Sequence, residues 1–191
     1  MTYQNAKREI TELGEFLYQY GYIVATDGNI SARLNSKQIL ITRTGICKGE
    51  MIIKDIVKIG IGDWDLGISN KKVRPSSEYH FHLAIYKNRP DINAVIHAHP
   101  PYATVFAVTG KKLDTSLLTE TTETLGKIKN VGFYKPGSME LAKAVGDACK
   151  KHNTILLAHH GVVVCGENLL EARYRLERLE FLAKVTFLSS L

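Results

Sequence analysis

The sequence predicts an α/β sandwich in which helices cover a largely antiparallel sheet. Three observations carry this. Runs of strand length and strand composition recur at 30–34, 38–42, 56–61, 93–97, 155–158 and 162–165, with tight polar turns joining neighbours as hairpins. Stretches with apolar residues at helical spacing lie around them, at 5–20, 78–86, 103–108, 139–149 and 168–188. The chain has 191 residues, 45% hydrophobic and 23% charged, which suits one domain spanning 1–191 with a sizeable core.

In order, Ile10, Leu13, Phe16, Leu17 and Tyr20 share one helix face, and Gly21 ends that helix. The turn Thr26-Asp27-Gly28-Asn29 leads into a strand at Ile30–Leu34. The polar turn Asn35-Ser36-Lys37 returns the chain through Gln38–Thr42. Arg43-Thr44-Gly45 is a further turn, and Ile56–Ile61 and the region around Trp64–Ile68 read as two more strands. After the turn Pro75-Ser76-Ser77, a helix is expected over Glu78–Tyr86, with Tyr79, Leu83 and Tyr86 as its apolar stripe and Pro90-Asp91 as its break. The strand Asn93–His97 follows, and Pro100-Pro101 forbid its continuation as a central strand. Ala103–Val108 forms a helix ended by Gly110. Between 111 and 137 the expectation is a strand at Ser116–Leu118, a helical turn at Thr121–Leu125 and a strand at Asn130–Tyr134. Ser138 is a good N-cap for a helix over Met139–Cys149. Strands at Ile155–Ala158 and Val162–Cys165 flank His159-His160-Gly161. Asn168 caps a last helix whose leucines and alanines (Leu169, Ala172, Leu176, Leu179, Leu182) form one wide apolar face.

Composition excludes several classes. No apolar run reaches the roughly 20 residues of a membrane helix, and the polar Met1–Glu9 has no signal core. Cys47, Cys149 and Cys165 are odd in number and form no paired motif, so they read as reduced thiols of a cytoplasmic protein. The net charge of +6 is scattered in lysine pairs without interleaved aromatics. That is a solvated surface, or a basic funnel for a small anion, rather than a nucleic-acid footprint.

The chemistry concentrates in two strand ends. His97 and His99 are two residues apart, so a strand projects both imidazoles to one side. His160, before a glycine, supplies a third candidate ligand, which a zinc-type site needs. His159 should point away from its neighbour, His80 and His152 read as surface residues, and His82 reads as a packed histidine or a partner of Glu78 four residues earlier. Glu78 is either a fourth ligand and general base, or an acidic first-turn residue favouring the helix dipole. Next to a divalent ion that polarises a carbonyl and an adjacent hydroxyl, such a carboxylate shuttles the proton of an enediolate. Three small polar turns (Thr26 to Asn29, Thr44-Gly45, Ser76-Ser77) are each ordinary turns singly. Gathered at one sheet end, they would form a phosphate nest.

The ordered motifs GNIS (28–31), TRTG (42–45), PSSE (75–78), HAHP (97–100) and HHG (159–161) together resemble the class II aldolase/adducin family over nearly the whole chain. The resemblance implies a three-layer α/β/α fold and a cyclic homotetramer with active sites between subunits. It implies a divalent metal, typically Zn2+, on His97, His99 and His160, with Glu78 as resting ligand and acid/base. It implies phosphate binding by Thr26, Gly28, Asn29, Thr44, Gly45, Ser76 and Ser77. The implied reaction is cleavage of a phosphorylated ketose to dihydroxyacetone phosphate and an aldehyde. Family alternatives are a 4-epimerase, a dehydratase or decarboxylase, and a non-enzymatic adducin-like binding module. Glutamate rather than aspartate after the two serines resembles the aldolase branch. One departure concerns the aldolase tyrosine acid, since Leu117, Leu118 and Thr119 stand at the corresponding place, leaving Tyr134 or Glu120 as substitutes.

Overall fold

A computed structural model describes residues 2–62 and 73–191. Its elements follow the periodicity of the sequence. Helix α1 (Tyr3–Gln19) is capped by the Thr2 hydroxyl and buries Ile10, Leu13 and Leu17. Strands β1 (Asn29–Asn35), β2 (Gln38–Thr42) and β3 (Ile56–Gly60) form a meander. Helix α2 (Tyr79–Asn88) precedes β4 (Ala94–Ala98), and α3 (Pro101–Thr109) starts on the second proline, whose missing N–H costs nothing in a first turn. Helix α4 (Thr119–Leu125) and β5 (Lys129–Val131) follow, then α5 (Met139–Ala148), capped by the Ser138 hydroxyl. The chain closes with β6 (Thr154–Leu157), β7 (Gly161–Gly166) and α6 (Leu169–Leu188), capped by Asn168.

The described strands make one seven-stranded sheet in the order β3-β2-β1-β4-β7-β6-β5. Every neighbouring pair is antiparallel except β5 with β6. Strand alternation divides the core in two. Ile30, Leu40, Ile96, Leu156, Val162 and Val164 pack on one face with residues of α1, α3 and α6. Ile41, Val57, Val95, Ile155 and Val163 pack on the other with residues of α2 and α5. This is the expected three-layer α/β/α sandwich. A polar exception interrupts the second face: Ser31 and His97 are fully buried there, opposite α2.

Two expectations are corrected. Residues 115–117 form a 3-10 turn, not part of a strand at Ser116–Leu118. Asp114 accepts from both the N–H and the hydroxyl of Ser116, and Thr121 and Thr122 hydroxyls donate to the Thr115 carbonyl, so local polar groups close the chain on itself. The strand expected at Asn130–Tyr134 is Lys129–Val131, an edge strand in which Val131 is buried. The strand expected around Trp64–Ile68 lies outside the described residues.

Candidate active site

The two central strands deliver the histidines. Antiparallel pairing of β1 with β4 sets Asn29 opposite His97, and pairing of β4 with β7 sets His97 opposite Val163. His97 is fully buried, and its Nδ1–H donates to the Val162 carbonyl at 2.9 Å, leaving Nε2 aimed into the site. His99 follows the end of β4, with its Nε2 3.2 Å from that of His97. His160 comes from the β6–β7 turn. His159 there adopts a left-handed backbone (φ 56°) and is exposed, as expected for a residue facing away. One ligand nitrogen from each of His97, His99 and His160 lies within 4.8 Å of the others. Four bonds of ~2.05 Å in tetrahedral array would hold two nitrogens ~3.3 Å apart, close to the His97–His99 spacing.

Gly161 lets the third histidine approach. A Cβ there would sit 2.3 Å from His99 Cδ2 and 2.6 Å from the Ala98 carbonyl. Gly28 is required twice over: its φ is +68°, and a Cβ would meet Ile23 at 2.5 Å and the His97 carbonyl at 2.9 Å.

Glu78, just before α2, closes the cluster. Its Oε2 is 3.1 Å from His97 Nε2 and accepts from Asn29 Nδ2 at 3.0 Å. Its Oε1 is 3.7 Å from His160 Nε2 and, although buried, accepts no hydrogen bond among the described residues. Burial would raise this carboxyl, but the His97 charge and hydrogen bond, then His160 and Asn29, bring it down to about 2. Burial alone would lower His97; the Glu78 carboxylate raises it instead. Burial, then the His97 charge, lower His99 to about 3 and His160 to about 4, so both are neutral, the state a metal ligand needs. Asp27, half-exposed, stands 3.6 Å from His99 Nδ1.

The three small polar turns converge beside this cluster. The Thr42 carbonyl accepts from Ser76 N–H at 3.0 Å, and Thr44 N–H donates to the Arg74 carbonyl at 3.1 Å. Lys48, 2% exposed, donates to the Thr26 carbonyl at 2.6 Å and the Ile46 carbonyl at 3.0 Å, tying the first turn to the second. Burial outweighs nearby Asp27 and lowers the Lys48 amine to about 8. Thr26, Thr44, Gly45 and Ser77 are exposed, while Asn29 and Ser76 are buried.

Residues 8–187 match the class II aldolase and adducin N-terminal domain. The chain belongs to the class II aldolase and adducin family. It is 35% identical over 191 residues to a 3-oxo-tetronate 4-phosphate decarboxylase of Pectobacterium atrosepticum, covering 97% of this chain and 85% of that one. It is 36% identical over 186 residues to an L-fuculose phosphate aldolase of Methanocaldococcus jannaschii, covering 97% of each. A solved L-fuculose 1-phosphate aldolase superposes with a TM-score of 0.89 at 32% identity, covering 100% of this chain and 88% of that one. Class II aldolases are metal-dependent, and the residues here fit such an ion: three convergent imidazoles and one buried carboxylate oxygen that accepts no hydrogen bond among the described residues. Among the described residues, no helix is long and apolar enough to cross a membrane.

The remaining expectations separate. His80 and His152, both expected on the surface, are half-buried, and His152 Nδ1 lies 2.8 Å from the Lys127 carbonyl. Tyr134 lines a surface groove with Asp147 and Lys150, and Glu120 is exposed in the first turn of α4. Sequence reasoning assigned Ser31, Lys48 and Tyr86 no polar role and left His82 open between two. His82 is fully buried, but between polar partners, Ser31 and Asn29. The available signal was the spacing Glu78, His82, Tyr86, which puts all three on one helix face.

Proposed function

We propose that this protein is a divalent-metal-dependent lyase that breaks a carbon–carbon bond near the carbonyl of a phosphorylated keto-sugar and releases dihydroxyacetone phosphate. One observation carries the reading: three clustered imidazoles face a buried, ionised carboxylate, one oxygen of which accepts no hydrogen bond among the described residues. His97, His99 and His160 would hold the ion, most simply zinc given three nitrogen donors. When bound, the ion acts as a Lewis acid on the carbonyl and neighbouring hydroxyl oxygens of the substrate. Glu78 carries the proton to and from the reacting carbon. Thr26, Gly28, Asn29, Thr44, Gly45, Ser76 and Ser77 form the phosphate cradle, with Lys48 holding two of its turns together.

With a ketose 1-phosphate the reaction is that of an aldolase, and the departing group is an aldehyde. That route must also remove a hydroxyl proton from the departing fragment. A second reading, decarboxylation of a 3-keto sugar-acid phosphate, needs no such step, because carbon dioxide leaves without a proton. The segment where the aldolase resemblance places a tyrosine acid holds Leu117, Leu118 and Thr119, which favours this second reading. A 3-oxo-tetronate 4-phosphate loses its carboxylate to give the same dihydroxyacetone phosphate, so both substrates pass through one enediolate.

The test is a coupled assay for dihydroxyacetone phosphate, run on ketose 1-phosphates and on 3-oxo-tetronate 4-phosphate, before and after chelation and with zinc restored. Release that stops with chelator and returns with metal supports the lyase, and detection of aldehyde or carbon dioxide selects the branch. A folded, zinc-loaded protein that releases none from either substrate class overturns it. The reading includes a cytoplasmic homotetramer, which light scattering tests through the mass in solution.

A further inference from the structure

Behind Glu78, starting from Asn29 of the phosphate cradle, runs a buried line of polar groups in which His82, Ser31 and Tyr86 have no part in the reaction itself. Asn29 Oδ1 lies 2.5 Å from His82 Nε2; His82 Nδ1 lies 2.7 Å from Ser31 Oγ; Ser31 Oγ lies 2.8 Å from Tyr86 Oη. Ser31 and His82 are 0% exposed, Tyr86 1% and Asn29 2%, so water cannot substitute for any link. We propose that His82 is a positioning residue that locks the Asn29 amide with its N–H toward Glu78, and so fixes which carboxylate oxygen remains free for the reaction. This rests on the reading of Glu78 as metal ligand and proton carrier.

The direction of every bond follows from donor chemistry. The ionised Glu78 Oε2 only accepts, so the Asn29 atom facing it must be the amide nitrogen. The Asn29 carbonyl then faces His82 Nε2, which must carry the hydrogen. Burial keeps His82 neutral, so Nδ1 bears no proton and accepts from the Ser31 hydroxyl. Ser31 in turn accepts from Tyr86, whose phenol burial holds protonated. All donors therefore aim toward the carboxylate. Flipping Asn29 would set N–H against N–H at His82 and oxygen against oxygen at Glu78, two repulsions for two lost bonds. With Oε2 held by Asn29 and His97, Oε1 is the oxygen that faces His160 and the site.

The test compares His82→Asn with His82→Gln. Both are polar and smaller than histidine. Glutamine places an N–H near the position of Nε2, whereas asparagine is too short to reach Asn29. Three readouts are taken: zinc affinity of the metal-stripped protein by competition with a chromophoric chelator, kcat and KM at saturating zinc, and the side-chain amide resonances of Asn29 in the metal-free protein. Expected for His82→Asn are a 10- to 100-fold loss of zinc affinity and of kcat, the range seen for groups that orient metal ligands, with KM within about twofold. The Asn29 amide pair should shift and exchange faster. His82→Gln should restore each readout to within about threefold. Equal damage from both variants, or an unaltered Asn29 amide in His82→Asn, overturns the proposal. If the unaltered protein releases no dihydroxyacetone phosphate, the proposed reaction fails while the amide readout still decides the role of His82.

Discussion

Gly161→Ala isolates the steric demand of the three-histidine cluster. The added Cβ would lie 2.3 Å from His99 Cδ2, against the ~3.5 Å at which two carbons rest. Something must move by about 1 Å. The nearby Ala98 carbonyl, 2.6 Å from the same Cβ, belongs to β4, which pairs with β7 at Ala98 and Val162 and cannot retreat without breaking the ladder. The His99 ring is the part free to yield. Metal–ligand distances tolerate only ~0.2 Å, so a displaced His99 is lost as a ligand. Zinc affinity should fall by at least the 10- to 100-fold that follows loss of a mere orienting group, with a packing cost of about 1–3 kcal/mol in overall stability. The assay is zinc competition on metal-stripped protein, with thermal melting alongside. A folded Gly161→Ala protein whose zinc affinity stays within about threefold of the parent would refute the reasoning and remove His99 from the ligand set.

Other predictions are briefer. His97→Ala should lose bound zinc and nearly all activity, since His97 lies at the centre of the cluster; full zinc stoichiometry by elemental analysis would count against it. Glu78→Gln should keep the fold, because an amide oxygen can still accept from Asn29, while turnover falls by roughly 10²- to 10⁴-fold; unchanged kcat would remove the proton-carrier role. Lys48→Met should raise KM for phosphorylated substrates more than it lowers kcat, as the Thr26 and Ile46 carbonyls lose their common donor; a pure kcat effect in steady-state kinetics would contradict this. Acid should destabilise the metal-free protein below pH 6.5. Folded His82 and His99 sit at about 3 and His160 at about 4, so the unfolded chain takes up protons that the folded one refuses. His97, raised by Glu78, opposes the other three. His82 alone, being fully buried, accounts for about 2 kcal/mol lost between pH 6.5 and 5; His99 and His160 add less because water reaches them. Denaturant midpoints that do not fall over that range would disprove the sign.

How much was legible depended on the range of the interaction that decides each feature. Periodicity placed α1, α5 and α6 closely, since a helix face is written in local spacing. Ser138 and Asn168 cap where their side-chain chemistry says they should. The HAHP motif fixed two imidazoles on one side of a strand for the same reason. The strand expected at Ser116–Leu118 gives way to a 3-10 turn, because Asp114 and the threonines of α4 satisfy the backbone locally, which no strand-length run of residues reveals.

The sequence by itself determined the alternation of strands and helices, the helix caps, and the residue types of the candidate metal site. Their spacing within one strand or one turn carries that chemistry. The tertiary structure decided what no local pattern contains. Sheet order brings β1, β4 and β7 side by side, so His160 meets His97 across some sixty residues of chain. Packing of α2 over that sheet buries Tyr86, Ser31 and His82 in a line that ends on Asn29 and turns ordinary polar residues into a directed support for Glu78. The physical reason is burial. Exposed, each of these groups would bond to water; removed from water, each has the next as its partner, and the direction of the line is fixed by which atoms carry hydrogen.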